Sequence, residues 1–147
     1  MSFTTNLLTG MAEHLAAAGA GVWRPDGSAY GPDEVAIVIR SIPQAPDRLI
    51  TLAPYAVDGT GLRGLADHQA AVQVRIRGTT DPRTCDETAD AVFDALDSLA
   101  GVSWHGVPIV QVWRQSYTSL GQDDNNRWQA SHNYYLDVMR PTAHNTD

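Results

Sequence analysis

The last third of the chain, residues 108–141, predicts a long antiparallel hairpin. Its second arm alternates strictly, with one face formed by Trp128, Ala130, His132, Tyr134, Leu136 and Val138 and the other by Arg127, Gln129, Ser131, Asn133 and Asp137. A period of two indicates a strand with one buried face. The first arm, residues 109–118, is rich in β-branched and aromatic residues, and the polar segment 120–126 between the arms favours a turn.

The length of this hairpin constrains the rest of the chain. At ~3.3 Å per residue the second arm spans roughly 45 Å, whereas strands commonly contain about 5–6 residues. We therefore expect the hairpin to extend beyond the core of its own domain and to contact a partner.

The order of the preceding elements predicts the fold class. Apolar residues recur at helical spacing over 4–18, where Thr4 or Thr5 can cap the start and Gly19 the end. Strands are predicted at 35–42, 48–55 and 67–78, with Pro54 placing the far end of the second strand at an edge. A second helix is predicted from Asp81-Pro82 to near Gly101. This order predicts an α+β fold: a mostly antiparallel or mixed sheet with two helices packed on it and a long C-terminal β-hairpin.

The chain length predicts a single domain. We expect all 147 residues, 1–147, to form one α+β unit, with residues 142–147 as a flexible tail. The loop at 57–66 contains three glycines, and we expect it to become ordered only on contact with a partner.

Composition excludes several classes of function. The net charge of −7 opposes general binding to a phosphate backbone, and the single cysteine cannot form an internal disulfide or a multi-cysteine metal site. No apolar run is long enough to span a membrane, and residues 1–8 have no basic region before an apolar run, so we expect no secretory signal. All ten basic residues are arginine, which reflects either a GC-rich genome or the suitability of arginine for interfaces.

The chemistry-bearing residues do not form a recognisable site. The five histidines lack metal-ligand spacing, and the run at Asp123-Asp124 lacks the alternating acids, the glycine and the glutamate of a calcium loop. Cys85 lies on the apolar face of the second helix, as a core residue would. We predict no catalytic, cofactor-binding or metal-binding residue. An acidic stripe, consisting of Asp86, Asp90, Asp94 and Asp97, is solvated, lines a passage for something negative, or is a docking face for an arginine-rich neighbour.

Several segments together resemble the tail terminator (minor capsid) proteins of long-tailed phages with actinobacterial hosts. The resemblance is carried by the N-terminal helix, Val72–Gly78, Asp81-Pro82, Ser119–Arg127, Asn133–Val138 and Arg140-Pro141. These segments span nearly the whole chain. Each is a feature of the fold, and none is a catalytic motif.

The resemblance implies a structural virion protein and not an enzyme. Such proteins form a ring, usually of six subunits, that caps the tail tube, ends its polymerisation and presents a joining surface to the neck. The implied partners are further copies of the chain, the major tail tube protein and the head–tail connector, with DNA only passing through the lumen and no membrane. The implied location is the neck end of the virion tail, after assembly in the host cytoplasm.

The residues suggest where such contacts lie. We predict a subunit or tail-tube interface formed by Arg75, Arg77, Arg114, Gln122, Asp123, Asp124 and Arg127. Arg75, Arg77 and Arg114 would form inter-subunit ion pairs. The other four residues belong to the hairpin tip.

Three other functions stay open from the sequence. The first is a head-completion or stopper protein of the neck, which also forms rings. The second is a small metal-dependent hydrolase that uses His105, His132 and Asp137. The third is a cytosolic dimer without a role in the virion.

Overall fold

The computed structural model describes residues 2–57 and 64–146. In this part of the chain the helices are α1 (Phe3–Ala17) and α2 (Pro82–Leu96), and the strands are β1 (Val22–Trp23), β2 (Ala36–Ile39), β3 (Leu49–Tyr55), β4 (Asp67–Arg77), β5 (Ala100–Trp104), β6 (Val107–Gln122) and β7 (Trp128–Met139). The strands form one mixed sheet in the order β1-β2-β3-β4-β7-β6-β5, in which β1, β2 and β3 are parallel and the other pairs antiparallel. The predicted α+β fold with a C-terminal hairpin is confirmed.

The first helix forms the centre of the core. The Ser2 hydroxyl caps its start by accepting from the N–H of Thr5, so the cap lies two or three residues before the predicted Thr4 or Thr5. Gly19 ends the helix with a φ of +82°. Its buried face includes Leu7, Met11 and Leu15. Because α1 contacts β1 and β5, which are the two outer strands, the sheet curls around it.

The second helix packs on β4, β6 and β7. The Asp81 carboxylate accepts from the N–H of Arg83, and Pro82 occupies the first turn, as predicted. A side chain at Gly78 would lie 2.5 Å from the backbone nitrogen of Cys85, so only glycine permits this close approach of strand and helix. The buried face of α2 includes Val92 and Leu96.

Two boundaries differ from the sequence-based prediction. The second helix ends at Leu96 and not near Gly101, because residues 100–104 pair with β6 as a further strand. The Asp97 carboxylate, just after the helix, accepts from the N–H of Arg114 and ties the helix end to β6. A short strand, Val22–Trp23, also lies within the segment that the sequence predicts to be only turns.

The predicted extension of the hairpin beyond the core holds for one arm only, because residues 115–122 of β6 are mostly exposed whereas no residue of β7 is. β7 pairs with β4 from Gln129 to Met139 and with β6 on its other side, so it is an interior strand throughout. What the core leaves uncovered is the outer edge of β6. The pairing of β2 with β3 ends at Leu52, so Pro54 lies at a local edge, as predicted.

The connection between β2 and β3 covers the sheet face opposite the helices. Arg77 points to this face because its neighbour in β4, Ile76, lies in the helix-covered core. The guanidinium of Arg77 donates to backbone carbonyls of this connection, which holds it on the sheet. Leu49 and Thr51 are consequently buried on the same face.

The C-terminal residues return to the body of the protein. The N–H of Ala66 donates to the carbonyl of Thr146, and the N–H of Thr146 donates to the carbonyl of Gly64. The flexible tail predicted at 142–147 stays a prediction, and residues 58–63 of the loop predicted to order on binding lie outside the described residues. Within 2–57 and 64–146, no helix has both the length and the apolar character needed to cross a membrane.

Candidate functional site

The second half of β6, residues 115–122, has no strand on its outer side among the described residues. β5 pairs with β6 only as far as Gln111, and the last hydrogen bonds to this side are donated by Val112 to Leu99 and by Arg114 to Asp97. Beyond Arg114 no described segment of the chain pairs with the outer edge of β6. We call residues 115–122 the β6 edge.

The register shows which backbone groups of the β6 edge are free to pair. Trp128 directs its N–H and carbonyl towards the β4 side, where they bond to Thr79 and Gly78. By strand alternation, the backbone N–H and carbonyl groups of Ala130 and His132 also point towards β4. The backbone groups of their partners in β6, Ser119 and Tyr117, therefore point away from β7. Tyr117 and Ser119 therefore present their backbone N–H and carbonyl groups at the open edge.

The composition of the β6 edge leaves it poorly protected against pairing. Natural edge strands carry charges, proline or bulges that prevent edge-to-edge association. This segment reads Gln-Ser-Tyr-Thr-Ser-Leu-Gly-Gln, with no charged residue and no proline, although β-bulges lie at each end of its central part. Tyr117 is 63% exposed and Leu120 is 44% exposed. The open end of β3, in contrast, contains Pro54.

The hairpin tip is folded onto the protein by its own ion pairs. The Arg127 side chain is 5% exposed, and it donates to the Asp123 carboxylate at 2.9 Å and to the carbonyl of Gln44 at 2.6 Å. Burial favours a higher pKa for Asp123, but the N–H groups of Arg127 and Asn125 outweigh it and lower the pKa below its usual 3.8. Asp123 and Arg127 therefore stabilise the turn that the sequence assigns to an interface.

Arg77 is likewise used inside the chain. It is 3% exposed, and its guanidinium donates to the carbonyls of Pro43, Pro46 and Asp47 at 2.7 to 2.9 Å. The sequence predicts inter-subunit ion pairs for this residue, but the structure buries it under the β2–β3 connection. Arg75 lies on the same face, half-buried, and donates to the side-chain oxygen of Gln129.

The remaining predicted interface residues lie nearer the surface. Arg114 is half-buried between two aromatic rings, with its guanidinium carbon 4.5 Å from the ring centre of Phe93 and 4.7 Å from that of Tyr117. Gln122 and Asp124 are exposed at the tip. The structure therefore brings Arg77, Arg127 and Asp123 together around the 43–47 segment and leaves Gln122 and Asp124 accessible.

The β6 edge contains exposed residues that sequence reasoning missed. Tyr117, Ser119 and Leu120 were predicted only as members of a strand and its turn. A signal was present, because no charge occurs between Arg114 and Asp123 in a chain that is 18% charged.

The residues of the suggested hydrolase site do not converge. His132 lies on the helix-covered face of β7, whereas Asp137 has the opposite parity and lies on the other face. His105 pairs with Glu13 of α1. In the described ranges, no three histidine, cysteine or acidic side chains are close enough to hold a metal ion.

The only cysteine is a core residue. Cys85 is 4% exposed, and burial together with the nearby Asp86 raises the pKa of its thiol to about 11. A thiol with this pKa is protonated at neutral pH, so it is a poor nucleophile.

Comparisons with known proteins agree with this architecture. One solved structure, described as the virion of a native gene transfer agent particle, aligns over 95% of this chain and 98% of its own chain, with 16% identity and a TM-score of 0.58. A second solved structure aligns over 97% of this chain and 99% of its own, with 14% identity and a TM-score of 0.58. At these identities the likeness shows the fold alone. No curated protein sequence matches the chain.

The family is established by a sequence model that covers most of the chain. Residues 14–140 match the family described as bacteriophage tail terminator protein. This range includes both arms of the hairpin, the β6 edge and α2. The family predicted from the sequence is confirmed, while an actinobacterial phage as its source stays a prediction. The chain belongs to the bacteriophage tail terminator family.

Proposed function

We propose that this protein is a structural, non-enzymatic component of the virion that assembles into a ring at the neck end of the tail. The ring, of six copies, caps the tube, ends its polymerisation and offers a joining surface to the neck proteins. Family membership supports this role, as does the likeness to a chain from a gene transfer agent virion. Residues 1–147 act as one unit, assembled in the host cytoplasm.

The observation that carries the proposal is the β6 edge. A ring requires two different, complementary surfaces on each subunit, because head-to-tail contacts close on themselves when the rotation is right. An open, uncharged strand edge is such a surface, since it can extend its sheet with an extended segment of the neighbouring copy. Tyr117 and Ser119 provide the outward backbone groups, and Tyr117 and Leu120 add exposed apolar area.

The charge of the chain suits a ring through which DNA passes. The net charge is −7, so the protein makes few of the counterion-releasing contacts that hold DNA to a surface. The tube protein then meets one face of the ring and the neck proteins the other, with Gln122 and Asp124 of the tip among the accessible contacts.

A proline substitution at the outward-facing position tests the proposal. Ser119→Pro removes one outward N–H while the inward hydrogen bonds of β6 remain, because Ser119 faces away from β7. Ser119→Ala is the matched control, since it changes the side chain and keeps the N–H. We expect native mass spectrometry to show rings for wild type and Ser119→Ala and mostly monomers for Ser119→Pro.

Particles that lack the protein test the place of the ring in assembly. Overlong, headless tails are expected, because a tube without its cap continues to polymerise. Tails of normal length without heads would contradict termination and would indicate a stopper of the neck. Rings that form unchanged from Ser119→Pro would show that the β6 edge is not the contact.

A further inference from the structure

A groove of about 400 Å³ lies between α2 and the end of the hairpin that carries the β6 edge. Asp86 and Asp90 of α2 form one wall, and Tyr117, Trp128 and His132 form the other. Arg114 also lines the groove, so its charged side chains are two carboxylates and one guanidinium, with a net charge of −1. Both carboxylates are exposed, and neither forms an ion pair within the described residues. The groove is continuous with the β6 edge, because Tyr117 and Ser119 belong to both.

One residue that lines this groove has a buried polar atom without a partner. His132 is 4% exposed, and its Nδ1 atom has no hydrogen-bond partner among the described residues. The imidazole stacks on Tyr117, with ring centres 5.4 Å apart and an interplanar angle of 12°. A buried polar atom without a partner carries a free-energy penalty, and a ligand that hydrogen-bonds to it removes that penalty.

These groups together fit a guanidinium. Its planar N–H donors pair with carboxylates, and a neutral imidazole nitrogen can accept from it. Tyr117 already contacts His132 and the guanidinium of Arg114, so Trp128 is the ring on which an incoming guanidinium can stack. Arginine is the only basic residue type other than histidine in this chain, so a second copy would present this group and not an ammonium.

The opposite end of the sheet carries arginines in a matching position. Arg40 follows the end of β2 and Arg140 follows the end of β7, and both line a second cavity of about 390 Å³. Among residues 2–57 and 64–146, no carboxylate lines this cavity. The groove with Asp86 lies near the start of β7, so the two sites are at opposite ends of the strands. Such an arrangement suits a head-to-tail contact between copies.

Arg40 is the better suited of the two arginines. The guanidinium of Arg140 already lies 4.2 Å from the ring centre of Phe3. Arg40 is exposed and has a φ of +64°, in the left-handed region that favours glycine. Its exposure, and not this φ, selects Arg40, because Ser98, His105 and Asn126 also have a positive φ.

We propose that the groove between α2 and the hairpin binds Arg40 of a second copy of this chain, with Asp86 and Asp90 as its anionic partners. This inference rests on the ring proposed above, and the ion pair is one part of the contact between neighbouring copies in that ring. The β6 edge provides backbone pairing, and the groove provides the ion pair that fixes the register of the neighbour.

Neutralising the groove tests the contact. The double variant Asp86→Asn/Asp90→Asn is expected to raise the apparent dissociation constant between copies at least about tenfold in sedimentation velocity, since hydrogen bonds to charged groups contribute more than neutral ones. Asp94→Asn is the matched control, because Asp94 lies on α2 outside the groove. It is expected to change the constant by less than about twofold.

Charge reversal identifies the partner residue. Asp90→Arg and Arg40→Asp are each expected to block assembly, while the chain that carries both changes is expected to recover it, because each head-to-tail contact then has the reversed pair. An unchanged dissociation constant in the Asn double variant, or no recovery in the reversed double variant, would overturn this inference while leaving the β6 edge proposal intact. A wild-type chain that stays monomeric at all concentrations would overturn both.

Discussion

The two arms of the hairpin have neighbouring positions in the sheet but opposite environments. β7 is an interior strand, hydrogen-bonded to β4 and β6, and its even-numbered residues from His132 to Val138 are at most 4% exposed. The second half of β6 has one neighbouring strand, and Tyr117 and Leu120 are largely exposed. One arm therefore belongs to the core, and the other offers a surface.

This difference in environment explains why the sequence of β7 alternates between apolar and polar residues while that of the β6 edge does not. Burial of one face imposes alternation on β7, because every second side chain must be apolar. The β6 edge is open on its outer side and exposed on both faces, so no such pattern is imposed. An uncharged segment that is not required by a core is a candidate for contact with another chain.

The largest effect is expected from removing the same side chain in each arm. Leu136 in β7 is 0% exposed and Leu120 in β6 is 44% exposed. Leu136→Ala is expected to lower the free energy of unfolding by about 3 kcal/mol, because a cavity remains in the core. Leu120→Ala is expected to change it by less than about 0.5 kcal/mol. Urea denaturation of the monomer measures both.

In ring assembly we expect the larger effect from the exposed position, Leu120, and the smaller effect from Leu136. Leu120→Ala should weaken ring formation, whereas any Leu136→Ala protein that stays folded should assemble normally. Equal losses of stability in the two variants would mean that Leu120 belongs to the core, and the distinction between the arms would then fail.

A smaller effect is expected from the arginines of the two arms. Arg127→Met, just before β7, removes the side-chain donors to Asp123 and Gln44 and leaves two partly buried acceptors without these partners. We expect a loss of about 2 kcal/mol in the free energy of unfolding. Arg114→Met in β6 keeps most of the contact with Phe93 and Tyr117 and loses only the cation–π component, about 0.5–1 kcal/mol.

Thermal denaturation at neutral pH, followed by circular dichroism, separates these two values. If Arg127→Met left the protein as stable as wild type, the hairpin tip would not be anchored by this side chain. Arg127 would then be free to serve at an interface, as its sequence position suggests.

Much of the fold could be predicted because its signals are local. The capping acid at Asp81, the proline that follows it and the alternation of β7 each record a physical requirement of one element. The end of α2 and the strand β5 could not be predicted, since they depend on pairing with β6. Tertiary contact outweighs local preference at that point.

The candidate site was predicted less well, because arginine has two uses that look alike in a sequence. Arg77 and Arg127 bind backbone carbonyls from a connection far away in the chain, and no periodicity reveals that connection. The same residue type at Arg40 is exposed. Only the three-dimensional course of the chain separates arginines that stabilise the fold from arginines that are available to a neighbour.

The smallest effect concerns the contact between the arms at His132 and Tyr117. Burial, assisted by the charge of Arg114, lowers the pKa of His132 below its usual 6.5 in the folded chain. As the pH falls below 6.5, the unfolded chain therefore binds more protons than the folded chain, and the free energy of unfolding decreases. We expect the melting temperature to fall between pH 7 and pH 5, and His132→Phe to reduce this slope.

Tyr117→Ala sharpens this test because it uncovers His132 without removing it. The exposed imidazole should titrate closer to 6.5, so the pH dependence should weaken while the histidine remains, and NMR titration of the ring measures the change directly. Burial also lowers the pKa of His68, so His68→Phe is the control for a second histidine that contributes to the slope. An unchanged titration of His132 in Tyr117→Ala would mean that the edge arm does not shield the interior arm, and the stacking of the two rings would then have no energetic consequence.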